Sequence, residues 1–302
     1  MERMTERVPM WERIGTSSED HSFDALFNKA GLNYKVEVRD LLTSNGVEVR
    51  KVPDRFATVR SDTGDVLGIV SDRYKVCQNE DALDFVKFID GVDLIRAGIY
   101  NGGSGCYMIG KLPEVTVLGD KIRPNIIWQN THDGSGSIRS TVCMLRLVCQ
   151  NQFVQSFKNS PVTIKFSHMG DLNEKLLAAK QQLVSVYDYI SVYEEEATKY
   201  ARSKITPEKF NKILQSMFNI KEDNSPRLNQ RLETEKSMFI TAYEQEDNQN
   251  FKGTKWGVIN AFSDFITHGA PSRKSENWDE NRFLWSLNPS IMDNFVELIE
   301  AA

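Results

Sequence analysis

Four cysteines are spread over the 302 residues, Cys77, Cys106, Cys143 and Cys149, and none forms a C-x-x-C pair. In a chain of this length that excludes a disulfide framework and points to buried thiols. No window approaches eighteen apolar residues, which excludes a helix spanning a bilayer. The first residues lack the apolar core of a secretory signal and carry Glu2, Arg3, Glu6 and Arg7 instead. A cytoplasmic protein is the expectation. There is no excess of positive charge: 37 Lys and Arg stand against 42 Asp and Glu, a net charge of -5. A polycation that coats nucleic acid is thereby excluded, and any nucleic-acid contact requires a local basic patch. Also missing are the Gly-x-Ser-x-Gly elbow, His-Glu-x-x-His, the Walker A loop and the dinucleotide fingerprint. No repeat and no low-complexity tract occurs.

What is present is an apolar fraction of 40%, enough for a globular core. Up to about residue 170 the pattern is mostly strand. Ser22 caps a short helix from Phe23 that Gly31 ends. Val36 and Val38 alternate with charges as in a half-buried strand. Ala57–Arg60 and Val66–Val70 flank Asp62-Thr-Gly-Asp65, a hairpin signal. Asn79 reads as the N-cap of an amphipathic helix that Gly91 closes. Further hairpins are expected around Asn101-Gly-Gly-Ser-Gly105 and Leu118-Gly-Asp120. From Leu172 the apolar spacing becomes helical, with one helix expected to about Tyr200 and others from Pro207, over 227–246, over 254–268 and from Pro289. The expectation is an α+β fold: a β-rich unit over 1–170, in which residues 1–21 form an exposed arm, and a helical unit over 171–302.

The stretch from Trp128 to Asn151 carries the most chemistry. Two apolar runs flank the polar tip His132-Asp-Gly-Ser-Gly-Ser137. His132 and Asp133 read either as an acid/base pair or metal ligands, or as turn residues, since Asp-Gly is a preferred turn dipeptide. No second His/Cys/Asp cluster of metal spacing lies nearby, so neither a metal nor a cofactor is expected. Residues 101–170 hold Lys111, Lys121, Arg123, Arg139, Arg146, Lys158 and Lys165 against Glu114, Asp120 and Asp133. Arg146 alternates with Val142, Met144 and Val148, so it is either a buried Arg satisfied by carboxylates or a phosphate contact. Trp128, Tyr107, Tyr100 and Tyr74 are either core aromatics or platforms for bases. On the helix over 254–268, Trp256, Asn260, Asp264 and His268 fall four apart on one face. That face is either a surface stripe or a docking face for the β-rich part.

Arg60-Ser-Asp-Thr-Gly-Asp-Val-Leu-Gly68, Val70-Ser-Asp-Arg-Tyr74, Gln78-Asn79, Asn130-Thr-His-Asp-Gly-Ser135 and Arg146-Leu-Val-Cys-Gln-Asn151 together resemble a phage/plasmid-like family known as domain of unknown function 932. Gly253-Thr-Lys-Trp256 with Asn260-Ala261 and His268 is similar to that family's C-terminal motif. The likeness runs from Trp11 to about His268 and departs at Ile95–Gly105, which is more Gly-rich than the family pattern. The resemblance implies a mobile-element gene and attaches no activity. By fold analogy it extends to single-strand annealing proteins of recombination, which form rings or filaments.

The leading expectation is therefore single-stranded DNA binding, with strand annealing in view and homo-oligomers as a corollary. Arg73, Lys121, Arg123, Arg139 and Arg146 would contact phosphate, Tyr74 or Trp128 would stack, and Asn130 and His132 belong to the same hairpin. One alternative is a metal-assisted enzyme on nucleic acid through His132 and Asp133. The other is a counter-defence or regulatory protein that binds a host protein through an exposed apolar patch.

Overall fold

The computed structural model describes residues 10–84, 91–157, 163–183, 186–269 and 278–301. Among the described residues ten strands lie before residue 167 and most of the helices after it, an α+β fold as expected. The strands form two antiparallel sheets. The smaller has the order β1 (Val36–Ser44), β2 (Val49–Arg60), β3 (Val66–Ser71). The larger has the order β10 (Thr163–Phe166), β8 (Ile138–Arg146), β7 (Asp120–Thr131), β5 (Gly105–Lys111), β4 (Asp93–Tyr100). β6 (Val115–Val117) adds to β7, and β9 (Asn151–Phe153) adds to β8.

β7 is the central strand of the large sheet. It is buried from Asn125 to Thr131, on both faces. A strand covered on both sides reads as a nearly continuous apolar run, and Ile126-Ile-Trp128 is one. Polar Asn125, Gln129 and Asn130 are buried with it. The β7–β8 register is unbroken from Ile122↔Arg146 to Gln129↔Arg139.

The helices follow their caps. Ser22 accepts from Ala25 N at the start of α1 (Phe23–Lys29). Asn79 is not the cap it was expected to be. Gln78 holds that position at the start of α2 (Asn79–Leu83), and the Asn79 side chain turns inward. The remainder of the helix expected before Gly91 falls largely on 85–90, outside the described residues. The helix expected over 172–200 is described as α3 (Leu172–Leu183) and α4 (Val186–Arg202). Thr206 caps α5 (Pro207–Met217), Ser225 caps α6 (Pro226–Tyr243) and Thr254 caps α7 (Lys255–His268). α8 (Trp278–Ser286) was not expected, and α9 (Ser290–Ala301) was.

The change from strand to helix near residue 170 is real, and the hydrophobic core runs across it. One cluster of buried side chains includes Trp128, Phe153, Tyr193, Trp256 and Phe295. The Phe153 ring meets Tyr193 at 5.2 Å and Trp256 at 6.0 Å. The expected exposed arm is tied down from Ile14 onward, where Thr16 and Ala97 exchange backbone hydrogen bonds of 2.7 and 2.9 Å. Residues 1–9 lie outside the described residues. Among the described residues no helix is long and apolar enough to cross a membrane.

Candidate functional site

The tip between β7 and β8 is a seat for the small sheet. The backbone carbonyls of Thr131 and His132 lie beyond the last β7–β8 pair and need other donors. Tyr74 Oη supplies one to Thr131 at 2.9 Å, and Thr58 Oγ1 supplies the other to His132 at 2.6 Å. Gly68 of β3 lies against the backbone of Asp133, where a Cβ would collide with it. The Asp133 carboxylate bonds Ser135 N at 2.9 Å and Ser135 Oγ at 2.7 Å, which is turn chemistry.

His132 is completely buried. Its Nε2 lies 2.7 Å from Asn79 Oδ1, which also accepts from Cys106 Sγ at 3.1 Å. An amide oxygen only accepts, so Nε2 carries the proton and donates. Nδ1 is then a bare, buried acceptor with no hydrogen-bond partner among the described residues. Burial pushes the His132 pKa down to about 4, with His168 adding to the shift and Asp133 opposing it. The side chains of His132 and Asp133 thus engage different partners. Their pairing as acid and base is not the arrangement observed, because neighbouring residues at a strand end point apart.

His168 follows the same logic. Its Nδ1 lies 3.1 Å from Lys75 O, its Nε2 is buried without a partner among the described residues, and burial lowers its pKa. Its ring stacks on Tyr74 with centroids 4.8 Å apart. Lys75 N returns a bond of 2.7 Å to His168 O. The loop carrying Arg73, Tyr74 and Lys75 is thereby pinned to the segment that follows β10. No group of three His, Cys, Asp or Glu fit to hold a metal ion occurs among the described residues.

The five expected phosphate contacts do not converge. Lys121 is exposed at the start of β7 and faces Glu114 at 4.0 Å. Arg123 lines a cavity of about 300 Å³ with Asp93, Lys111 and Glu114. Arg139 lies near the other end of the same strand pair, opposite Gln129, about 20 Å along β7 from Arg123 by the usual rise per residue. Arg73 is exposed beside Tyr74.

Arg146 is 4% exposed, and its partners are inside the fold. Nε meets Asp120 Oδ2 at 2.7 Å, Nη1 meets Asp247 Oδ2 at 2.8 Å, and Nη2 donates to Asp247 O at 2.6 Å. Burial works against its charge, and Cys149, Asp120 and Asp247 outweigh it, so its pKa is raised. A phosphate-contact role for Arg146 is corrected on this geometry, because the fork is filled by carboxylates. Trp128, Asn130 and His132 are likewise 0% exposed, which removes them from any surface that a strand of nucleic acid touches. Asn130 Nδ2 donates instead to Cys77 O at 3.0 Å.

The C-terminal motif docks on the β-rich part. Trp256 and Asn260 are buried on α7, and His268 Nε2 lies 3.0 Å from Cys149 O. Ser263 Oγ donates to Gln152 O at 2.8 Å, and Gln152 N donates to Thr267 Oγ1 at 3.1 Å. All four cysteines are buried, and none forms a disulfide among the described residues.

A different basic surface emerges. Arg139 on β8 and Lys165 on β10 are register partners, so their side chains share one face of the sheet. Lys165 is exposed and Arg139 half-buried, and neither has an ion-pair partner among the described residues. Sequence reasoning counted Lys165 among the local basics and passed over His168. His168 lies two residues beyond a strand over 163–166 that is too brief for a periodicity to register.

A family model described as Domain of unknown function (DUF932) matches residues 66–285. No curated protein and no solved structure matches the chain.

Proposed function

The chain belongs to the DUF932 family, and from that premise we propose that it binds single-stranded DNA as a mobile-element protein of DNA metabolism, with strand annealing as the corollary. The observation that carries the reading is the Arg139–Lys165 pair across β8 and β10. β10 is the outer strand of the large sheet and is followed by the segment holding His168, on which Tyr74 stacks. Exposed Arg73 and Lys75 flank Tyr74. Cations for phosphate and a half-buried aromatic for a base are the elements that unspecific single-strand binders combine. The overall charge of -5 makes this local, not global, electrostatics.

The test is anisotropy of a labelled oligonucleotide at low and moderate salt. Binding is expected to weaken with salt, with a slope of about -0.7 per phosphate contacted on a single strand. Arg139→Glu with Lys165→Glu removes it. Retained affinity in that double variant, or no binding by the unaltered chain at either salt, overturns the reading.

A second reading has its own support. Val38, Leu42, Val47, Val49, Val66 and Ile69 on the small sheet are exposed, Val47 by 96%. Exposed apolar side chains suit a protein contact, either a host protein or a second copy of the chain. Sedimentation at several concentrations separates the two: concentration-dependent mass that Val49→Lys abolishes marks self-association.

A further inference from the structure

α1 and the segment that follows it enclose a cleft of about 280 Å³. Residues four apart on a helix lie on one face, so α1 presents two adjoining ridges, Phe23 with Phe27 and Asp24 with Asn28. Gly31, at φ +68°, turns the chain back, and Leu32 N donates to Phe27 O at 3.1 Å. The facing wall, residues 32–35, alternates as an extended chain does: Leu32 and Tyr34 are buried, Asn33 and Lys35 exposed. Phe23, Phe27, Leu32 and Tyr34 line the cleft from buried positions and give it an apolar floor. Exposed Asp24, Asn28, Asn33, Lys35 and Glu80 form its polar rim.

The facing wall is fixed by hydrogen bonds. Asn79 Nδ2 donates to Leu32 O at 3.1 Å, and Tyr34 Oη donates to Gly103 O at 2.6 Å. Val36 exchanges two bonds of 3.0 Å with the Gln78 amide. A cleft held in this way is formed before any ligand arrives. At the rim, Lys35 and Glu80 pair at 3.3 Å. The side chains of Asp24, Asn28 and Asn33 make no hydrogen bond or ion pair among the described residues.

We propose that this cleft binds an uncharged ring carrying vicinal hydroxyls, a pyranose or the ribose of a nucleoside. Its volume lies at the lower end of the range for ligand clefts and suits a single ring. The C–H face of the ring lies on the apolar floor. The hydroxyls, each a donor and an acceptor, match a rim with a carboxylate that accepts, amides that do both and an ammonium that donates. An anion fits worse, because the rim carries two carboxylates and its one ammonium is paired with Glu80. A purely apolar ring takes water from the rim and returns no hydrogen bond. All of these residues except Glu80 precede the family match, which starts at residue 66, and the site does not depend on the single-strand reading.

The test is titration of the full chain, followed by saturation-transfer NMR. The probes are the methyl glycosides of glucose and mannose, adenosine, 2′-deoxyadenosine and cyclohexanol, with glucose 6-phosphate and adenosine 5′-monophosphate as charged counterparts. Ring diols are expected to bind, cyclohexanol not, and each phosphate more weakly than its parent. Glycosides bound without adenosine assign a sugar; adenosine bound better than 2′-deoxyadenosine assigns a ribose. Asp24→Ala is expected to lower the affinity about tenfold, the worth of a hydrogen bond to a charged group. Asn28→Trp narrows the mouth and is expected to abolish binding. Both positions are exposed and their side chains hold nothing in the fold, so both variants are expected to fold. Absence of binding by every ring diol, or a phosphate that binds more tightly than its parent, overturns the inference. So does adenosine bound no better than 2′-deoxyadenosine when neither glycoside binds, or an affinity that both variants leave unchanged.

Discussion

Arg146 and Asp247, 101 residues apart in the chain, are joined twice: Nη1 to the carboxylate at 2.8 Å and Nη2 to the backbone carbonyl at 2.6 Å. The pair ties the end of β8 to the short 3-10 turn over 246–251 that leads into α7. Asp120 completes the set at 2.7 Å.

Breaking such a buried set from one side leaves charge without compensation. Asp247→Ala is expected to cost roughly 3–5 kcal/mol, read as a lower urea midpoint. Arg146→Met with Asp120→Asn and Asp247→Asn is expected to cost less than Asp247→Ala alone, because no unpaired charge remains. A triple variant weaker than the single one contradicts the geometry.

Acid should loosen the fold in a defined window. His132 is held neutral with its pKa near 4, below the ordinary 6.5. Between those values the unfolded chain binds the proton and the folded one does not. The stability is therefore complete above pH 6.5 and falls as pH drops toward 4, by roughly 3 kcal/mol for a shift of this size. His168 is shifted in the same direction by its own burial. Thermal melts from pH 6.5 to 5 check this: the slope should flatten in His132→Gln, which keeps a donor toward Asn79.

Gly68 rests against the backbone of Asp133, which no flexible side chain can yield. Gly68→Val is expected to lift the small sheet from the tip at about 1–3 kcal/mol, the usual cost of overpacking. Amide exchange should then accelerate in 49–71 and remain slow in β7. Uniform acceleration would place the contact elsewhere.

The start of α7 depends on one hydroxyl. Thr254 Oγ1 accepts from Gly257 N at 3.1 Å and donates to Phe251 O. Thr254→Ala is expected to cost about 1 kcal/mol and Thr254→Ser much less, measured by chemical unfolding.

Much of this architecture was legible from local chemistry. The turns Asp62-Thr-Gly-Asp65 and Leu118-Gly-Asp120 stand where hairpins form, and Ser22, Thr206, Ser225 and Thr254 stand where helices begin. Residues 40–53 gave no strand signal because that part of β1 and β2 is exposed on both faces, so no apolar alternation is required. α8 was missed for a related reason: Trp278-Asp-Glu-Asn-Arg-Phe-Leu-Trp-Ser286 bunches its apolar residues at Phe283-Leu-Trp285, so no helical period shows, although Phe283 is fully buried against Tyr107. Asn79 has the composition of a cap, and only tertiary contact with His132 and Leu32 turns it inward. For the candidate site, the sequence left open where Arg146 finds its counter-charge. Residues Asp120 and Asp247 lie 26 and 101 positions away, and no local pattern announces so distant a partner.

The seating of Asp133 and Gly134 under β3 bears on where this chain tolerates added sequence. By composition, Gly134-Ser-Gly-Ser137 looks like the natural place to splice in a tag or a reporter. It sits instead at the join between two sheets, with Val70 within 3.2 Å of where a Gly134 Cβ would lie. The turn over 45–48, at the far end of the β1–β2 hairpin, touches none of this and is the better insertion point.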